Sequence, residues 1–115
     1  MIKPHNVRIE KIDDSHAEVY LVINEDLLYF KGHFNIQPIL PGVAQLGWIT
    51  EFSEEIFKIK LTADFPVIKF TAPILPKDRI CLLLNYDRDK KRINFEYKIL
   101  NQNIKASSGK VCVSC

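Results

Sequence analysis

Only one stretch of this chain repeats its apolar residues at helical spacing, and that scarcity bounds the fold. From Val43 to about Lys58, the side chains Val43, Leu46, Ile49, Phe52 and Ile56 recur at that spacing, with Trp48 and Phe57 beside them. Glu51, Glu54, Glu55 and Lys58 form a polar stripe towards the C-terminal half. Pro41 suits a first helical turn, where its missing N–H would have been unsatisfied anyway. The first half of the helix is apolar nearly all round, so it is expected to be buried on most sides.

Elsewhere the pattern is that of strands. Val7 to Ile12 and Ala17 to Ile23 flank the turn-forming cluster Asp13-Asp14-Ser15, and Ala17, Val19, Leu21 and Ile23 fall in one phase. Periodicity is lost from Asn24 to Leu40, a stretch read as a structured loop. After the helix come Val67 to Ala72, the proline-bounded connection Pro73 to Asp78, and a hairpin of Arg79 to Tyr86 with Arg92 to Leu100. In the second arm Ile93, Phe95, Tyr97 and Ile99 face one way, and Asn94, Glu96 and Lys98 the other. Asn101-Gln102-Asn103 turns into a last strand, Ile104 to Val113. The order is strand, strand, helix, then four strands in a meander. One buried helix cannot cover both faces of such a sheet, so the sheet is expected to curl around it. The predicted class is α+β: one long central helix wrapped by a curved antiparallel sheet of about six strands, with residues 1–115 as a single domain.

Composition excludes several functions. A net charge of +2 with scattered basic residues gives no footprint for nucleic acid, and Arg88 to Arg92 reads as a solvated hairpin tip. No apolar run is long enough to span a membrane, and Met1 to His5 carries no apolar signal segment, so a cytoplasmic protein is expected. Cys81 lies in an apolar run and reads as a small buried hydrophobe. Cys112 and Cys115 have redox spacing but sit on an extended segment, which separates them by about 10 Å, too far for a disulfide. Neither a metal nor an organic cofactor is expected.

The chemistry converges on Gly32 to Gly42. His33 lies in a loop, where an imidazole serves as base and acid near neutral pH. Pro38, Pro41 and Gly42 rigidify the entry to the helix, and Gly42 permits close backbone approach by a ligand. The first helical turn presents free N–H groups and the positive end of the dipole, suited to a developing oxyanion. A base beside an oxyanion hole suits proton abstraction next to a carbonyl. His5 and His16, at the terminus and at a strand start, read as non-functional.

The run Gly32-His33-Phe34-Asn35-Ile36-Gln37-Pro38-Ile39-Leu40-Pro41-Gly42-Val43-Ala44-Gln45-Leu46 closely resembles the active-site signature of the β-hydroxyacyl-acyl-carrier-protein dehydratases, which have the hot-dog fold. Ile68 to Asp78 looks like that family's third strand and following loop, so the resemblance covers nearly the whole chain. The Pro-Gly-Val-Ala-Gln-Leu wording is particularly similar to the dehydratase-like proteins of aryl polyene pathways. The resemblance implies that His33 takes the α-proton of a 3-hydroxyacyl thioester and that the Gly42 amide binds the thioester carbonyl. It also implies an acyl tunnel lined by Phe34, Val43 and Leu46, with Pro41 shaping the turn. The substrate would be a thioester of acyl carrier protein or coenzyme A. The assembly would be a homodimer or higher even oligomer, with the sheets joined edge to edge and each site at the interface.

The chain departs from the family at one place. The helix acid falls five residues after the Pro-Gly glycine, and that position is Gly47. Loss of a general acid lowers rates by about 10²–10⁴, and an internal helical glycine costs about 1 kcal/mol relative to alanine. Glu51 lies one turn on, on the same face, and a side chain leaning back towards the N-terminus reaches part of the way. Gln45 and Tyr29 are weaker substitutes. Three functions follow: an active dehydratase or hydratase, a lyase using a substitute acid; a degenerate thioester-binding or partner subunit of a hot-dog heterodimer; and, less fitting, a thioesterase.

Overall fold

The computed structural model describes residues 6–24 and 39–114. Alternating sequence becomes strand where expected. β1 (Arg8–Lys11) and β2 (His16–Val22) form a hairpin. In its turn Asp13 Oδ1 accepts the backbone N–H groups of Ser15 and His16, both at 2.8 Å. Ala17, Val19, Leu21 and Ile23 are buried together. β4 (Arg79–Asp87) and β5 (Arg92–Ile99) make the second hairpin, whose tip at 88–91 is exposed. On β5 the side chains Ile93, Phe95, Tyr97 and Ile99 all face the core, as the alternation requires, and Cys81 on β4 is buried.

The strand β3 (Val67–Phe70) lies elsewhere than a simple meander would put it. The sheet order is β1-β2-β4-β5-β6-β3, with β6 spanning Ile104–Cys112 and every neighbouring pair antiparallel. Only β4, β5 and β6 form a meander, and β3 pairs with β6 at the far edge. The cause is the connection from Thr71 to Asp78. Its two prolines donate no hydrogen bonds, so it cannot close a tight hairpin and instead runs across the end of the sheet. At one side the N–H groups of Thr71 and Ala72 donate to the Ala106 carbonyl at 2.8 and 3.1 Å. At the other, Lys77 N–H donates to the Ile23 carbonyl at 2.6 Å and Ile23 N–H to the Asp78 carbonyl at 2.9 Å. The buried Asp78 carboxylate closes the crossing by accepting Leu75 N–H at 2.8 Å and the Asn101 amide at 3.1 Å.

The helix α1 spans Gly42–Phe57 and ends where Lys58 turns left-handed, at φ 57° and ψ 45°. Its buried face comprises Ala44, Gln45, Trp48, Ile49, Phe52, Ser53 and Phe57, with Trp48 and Ile49 fully enclosed. That face is rotated from the one apolar spacing alone predicts. Val43 is 73% exposed and Leu46 only half-buried, whereas the polar Gln45 and Ser53 are inside. The first half is therefore not buried on most sides within this chain. The sheet covers one flank of the helix, and hydrogen bonds draw Gln45 onto it.

The two sheet edges differ. β1 carries Arg8 paired with Glu10, Lys11 beside them, and the Arg8 guanidinium 4.3 Å above the Tyr20 ring. β3 instead exposes Val67, Ile68 and Phe70. It is held against β6 closely enough that a Cβ on Gly109 would lie 2.1 Å from the Val67 carbonyl oxygen and 2.9 Å from the Phe95 ring. Backbone cannot yield there as a flexible side chain does. Gly109→Ala is therefore expected to lose stability at the upper end of about 1–3 kcal/mol in urea unfolding; wild-type stability would mean that β3 does not sit on β6 as described.

Candidate active site

The helix begins abruptly. Pro41 is extended (φ −62°, ψ 150°), and its carbonyl accepts the N–H groups of Ala44 and Gln45 at 3.1 and 3.2 Å. No side chain caps this end, and no acidic residue lies in the first turn. Among the described residues no hydrogen bond engages the N–H of Gly42 or Val43. Among the described residues the turn thus has no acceptor for its leading donors, which lie at the positive end of the helix dipole, the equipment an oxyanion needs. One residue before, Leu40 N–H is fixed to the Ile74 carbonyl of the crossing segment at 2.8 Å.

Gly42 is crowded by packing within the chain. A Cβ would stand 2.8 Å from Cζ of Phe70, so the β3 aromatic ring, rather than a ligand, makes the close approach to this glycine. Beneath the turn lies a buried polar network. Tyr97 O–H donates to the Gln45 carbonyl at 2.6 Å, and Ser107 O–H donates to the Gln45 side-chain oxygen at 2.7 Å. The Gln45 amide reaches back to the Leu40 carbonyl at 3.5 Å. Enclosure raises the Tyr97 phenol well above its ordinary pKa, so it stays neutral. Gln45 was the weak candidate for a substitute donor; its side chain is committed to the core and does not present itself for that role.

The polar stripe is less uniform than its sequence implies. Glu55 and Lys58 are exposed, but Glu54 accepts Leu61 N–H at 2.9 Å, and Glu51 is half-buried with its Oε2 shielded from solvent. Gly47, one turn before Glu51, is half-buried too. Pro41, Val43, Leu46, Gly47 and Glu51 therefore all sit on the part of the helix that the sheet leaves uncovered or half-covered. His33, Phe34 and Tyr29 lie outside the described residues, as does Cys115.

The remaining candidates are placed away from this turn. His16 pairs with Asp13 at 2.9 Å on the surface, and its hydrogen bond is the main cause holding the Asp13 carboxyl below its usual range. A groove of about 450 Å³ beside His16, lined also by Ile12, Glu18, Leu83, Asn85 and Glu96, contains none of the helix-start residues. Among the described residues no group of three or more His, Cys, Asp or Glu side chains gathers as a metal site, and no helix is long and apolar enough to cross a membrane. Sequence reading missed Phe70, Tyr97 and Ser107 as parts of the site's frame. The one available signal was Ser107, a polar residue that proves fully buried inside a strand.

Among the described residues, one helix on a six-stranded antiparallel sheet in this strand order, with an uncapped helix start at Leu-Pro-Gly, defines a protein of the hot-dog class. Solved structures of similar fold include the following. The Xenorhabdus doucetiae dehydratase heterocomplex ApeI:P superposes with a TM-score of 0.89 at 28% identity, covering 99% of this chain and 100% of that one. An uncharacterized protein of Erwinia carotovora subsp. atroseptica gives 0.80 at 35% identity, covering 98% and 93%. A hypothetical thioesterase of Streptococcus pneumoniae shares the fold alone, at 0.71 and 10% identity over 96% of this chain and 88% of its own. Residues 9–110 match the model of the ApeI-like family, described as ApeI dehydratase, and the chain belongs to that family. Among curated relatives, the 3-hydroxyacyl-[acyl-carrier-protein] dehydratase FabZ of Roseiflexus castenholzii is 33% identical over 67% of this chain and 58% of its own length. That of Clostridium perfringens is 29% identical over 76% and 69%. The chain thus spans roughly three-fifths to two-thirds of the relatives it matches.

The two glycines with crowded Cβ positions should behave oppositely. At Gly42 the obstacle is the far end of one side chain, and alanine favours a helix by about 1 kcal/mol over glycine. Gly42→Ala is therefore expected to unfold within about 1 kcal/mol of wild type while shifting the Phe70 ring, seen as altered ring resonances by NMR. A loss as large as that expected for Gly109→Ala would show that the ring cannot move.

Proposed function

We propose that the chain acts on a 3-hydroxyacyl thioester of acyl carrier protein or coenzyme A as a dehydratase or, in reverse, a hydratase. His33 takes the α-proton, and the C–H electron pair forms the double bond as the β C–O bond breaks. The hydroxyl leaves as water once it receives a proton. The Gly42 N–H holds the thioester carbonyl as negative charge gathers on it, and Pro41 aims that N–H by ending the extended approach. Phe34, Val43 and Leu46 border the acyl chain, with Gly47 leaving room beside it. The observation that carries this reading is the uncapped first turn of α1, which keeps its leading N–H groups free in a chain of the ApeI-like family.

The proton donor is the open part of the site. Glu51 is the candidate within this chain, because its carboxylate is partly shielded and lies one turn from Gly47 on the same side of the helix. A second reading is favoured by two observations: Gly47 itself, and the likeness to the Xenorhabdus doucetiae dehydratase heterocomplex ApeI:P. In that reading the chain pairs with a different hot-dog subunit whose helix supplies the acid, and keeps His33 and Gly42 as its own contribution. Both readings need a partner subunit. The exposed Val43, Ile39 and Phe70 around the helix start and the open edge of β3 are the surface it would cover.

Hydration of crotonyl-coenzyme A by the purified protein tests the first reading. His33→Ala is expected to lower the rate by about 10²–10⁴, and Glu51→Gln to a similar degree if Glu51 donates. Equal inactivity of wild type and His33→Ala rejects the stand-alone enzyme, and a gain on Gly47→Asp would point to the heterodimer reading. Ile68→Lys places a charge on the β3 edge and is expected to convert an even oligomer to monomer in sedimentation velocity; an unchanged mass would put the interface elsewhere.

A further inference from the structure

Three side chains of one cross-strand row meet the start of the helix. Tyr97 on β5 registers with Ser107 on β6, and Ser107 with Phe70 on β3. Tyr97 holds the Gln45 carbonyl, Ser107 holds the Gln45 side chain, and the Phe70 ring lies on Gly42. Ser107 keeps the regular inward phase of Val111 and Val113, and β6 becomes irregular only beyond it. Tyr97 pairs with Ser107 but Lys98 pairs with Lys105, so Ala106 is an extra residue. Successive strand residues normally face opposite ways, yet Ala106 and Ser107 are both fully buried. The bulge turns Ala106 inward beside Ser107, and the Ala106 carbonyl receives the N–H groups of Thr71 and Ala72.

Stability alone is a weak reason for such a device. Apolar groups of similar shape in place of a buried polar network are often neutral or stabilising, whereas a satisfied network fixes one arrangement. The arrangement fixed here is that of Leu40, Pro41 and Gly42 against β5 and β6, because Gln45 reaches the Leu40 carbonyl from within the same helix. We infer that Gln45, held by Tyr97 and Ser107, is a positioning residue that sets where the Gly42 N–H stands relative to the sheet. This rests on the thioester-binding reading of Gly42 but not on the identity of the proton donor. The network has no contact with substrate and acts through the turn alone.

Two variants remove single hydroxyl groups, Tyr97→Phe and Ser107→Ala, and each is read in two ways. The first is amide hydrogen exchange, which needs no activity. Leu40, Ala44 and Gln45, whose N–H groups are bonded around this turn, are expected to exchange about tenfold faster while the central amides of β4 and β5 keep their protection. The second is crotonyl-coenzyme A hydration, where kcat is expected to fall about tenfold with KM within about twofold, since the turn is displaced rather than removed. Unchanged exchange at those three amides, or a uniform rise throughout the chain, overturns the inference, as does an unchanged kcat in a variant whose turn has loosened. Should Tyr97→Phe fail to fold, Ser107→Ala removes only one atom and gives the same readouts. If the wild type itself does not hydrate crotonyl-coenzyme A, the proposed activity falls, and the exchange measurement still decides the positioning role.

Discussion

Everything in this molecule depends on how one helix is seated on one face of a sheet. A single helix buries one stripe, so its rotation decides which side chains enter the core and which remain for something outside the chain. Trp48, Ile49 and Phe52 supply the apolar part of that seat, packing on the inward residues of β2, β4, β5 and β6. Apolar contact is non-directional and would tolerate a helix turned by several tens of degrees. The hydrogen bonds from Tyr97 and Ser107 to Gln45 are directional and remove that freedom. Val43 is consequently turned outward and the N-terminal N–H groups are left at a defined place.

Much of the architecture was legible because strand periodicity is a local signal. The alternations through Ala17 to Ile23 and Ile93 to Ile99 predict buried faces that the structure contains, and Pro41 marks the helix start to within one residue. What was not legible depends on pairing at a distance. Nothing in Val67 to Phe70 states that its partner is β6 rather than β4; that follows from the length and proline content of the connection, and from the carbonyl groups it meets on its way. Helix rotation was misread for a related reason. Periodicity ranks Val43 above Gln45 for burial, and only the hydroxyl groups presented by two distant strands reverse the order.

The site divides along the same line. The residues around His33 and Phe34 resemble a family signature, and the membership is shown by the match over residues 9–110. Gly42 is crowded by a ring from β3, a neighbour that its motif does not reveal. Gly47 was visible at once, because the departure from a motif is read directly. The frame that holds the turn in place was not visible, because Tyr97 and Ser107 carry no motif and gain their meaning from register alone.

The unlike edges of the sheet carry a consequence for how large an assembly this chain can build. A strand edge with open hydrogen-bonding groups adds another strand, and a sheet with two such edges extends without limit into a ribbon. Here β1 carries Arg8, Glu10 and Lys11, while β3 exposes Val67, Ile68 and Phe70 around a single charge, Lys69. Growth through β3 joins two sheets and leaves a charged β1 at each outer end, where nothing further can add. Association by this route terminates itself at a pair. The three charged residues of β1, which contribute little to the core, are what such a pair would present at each outer end.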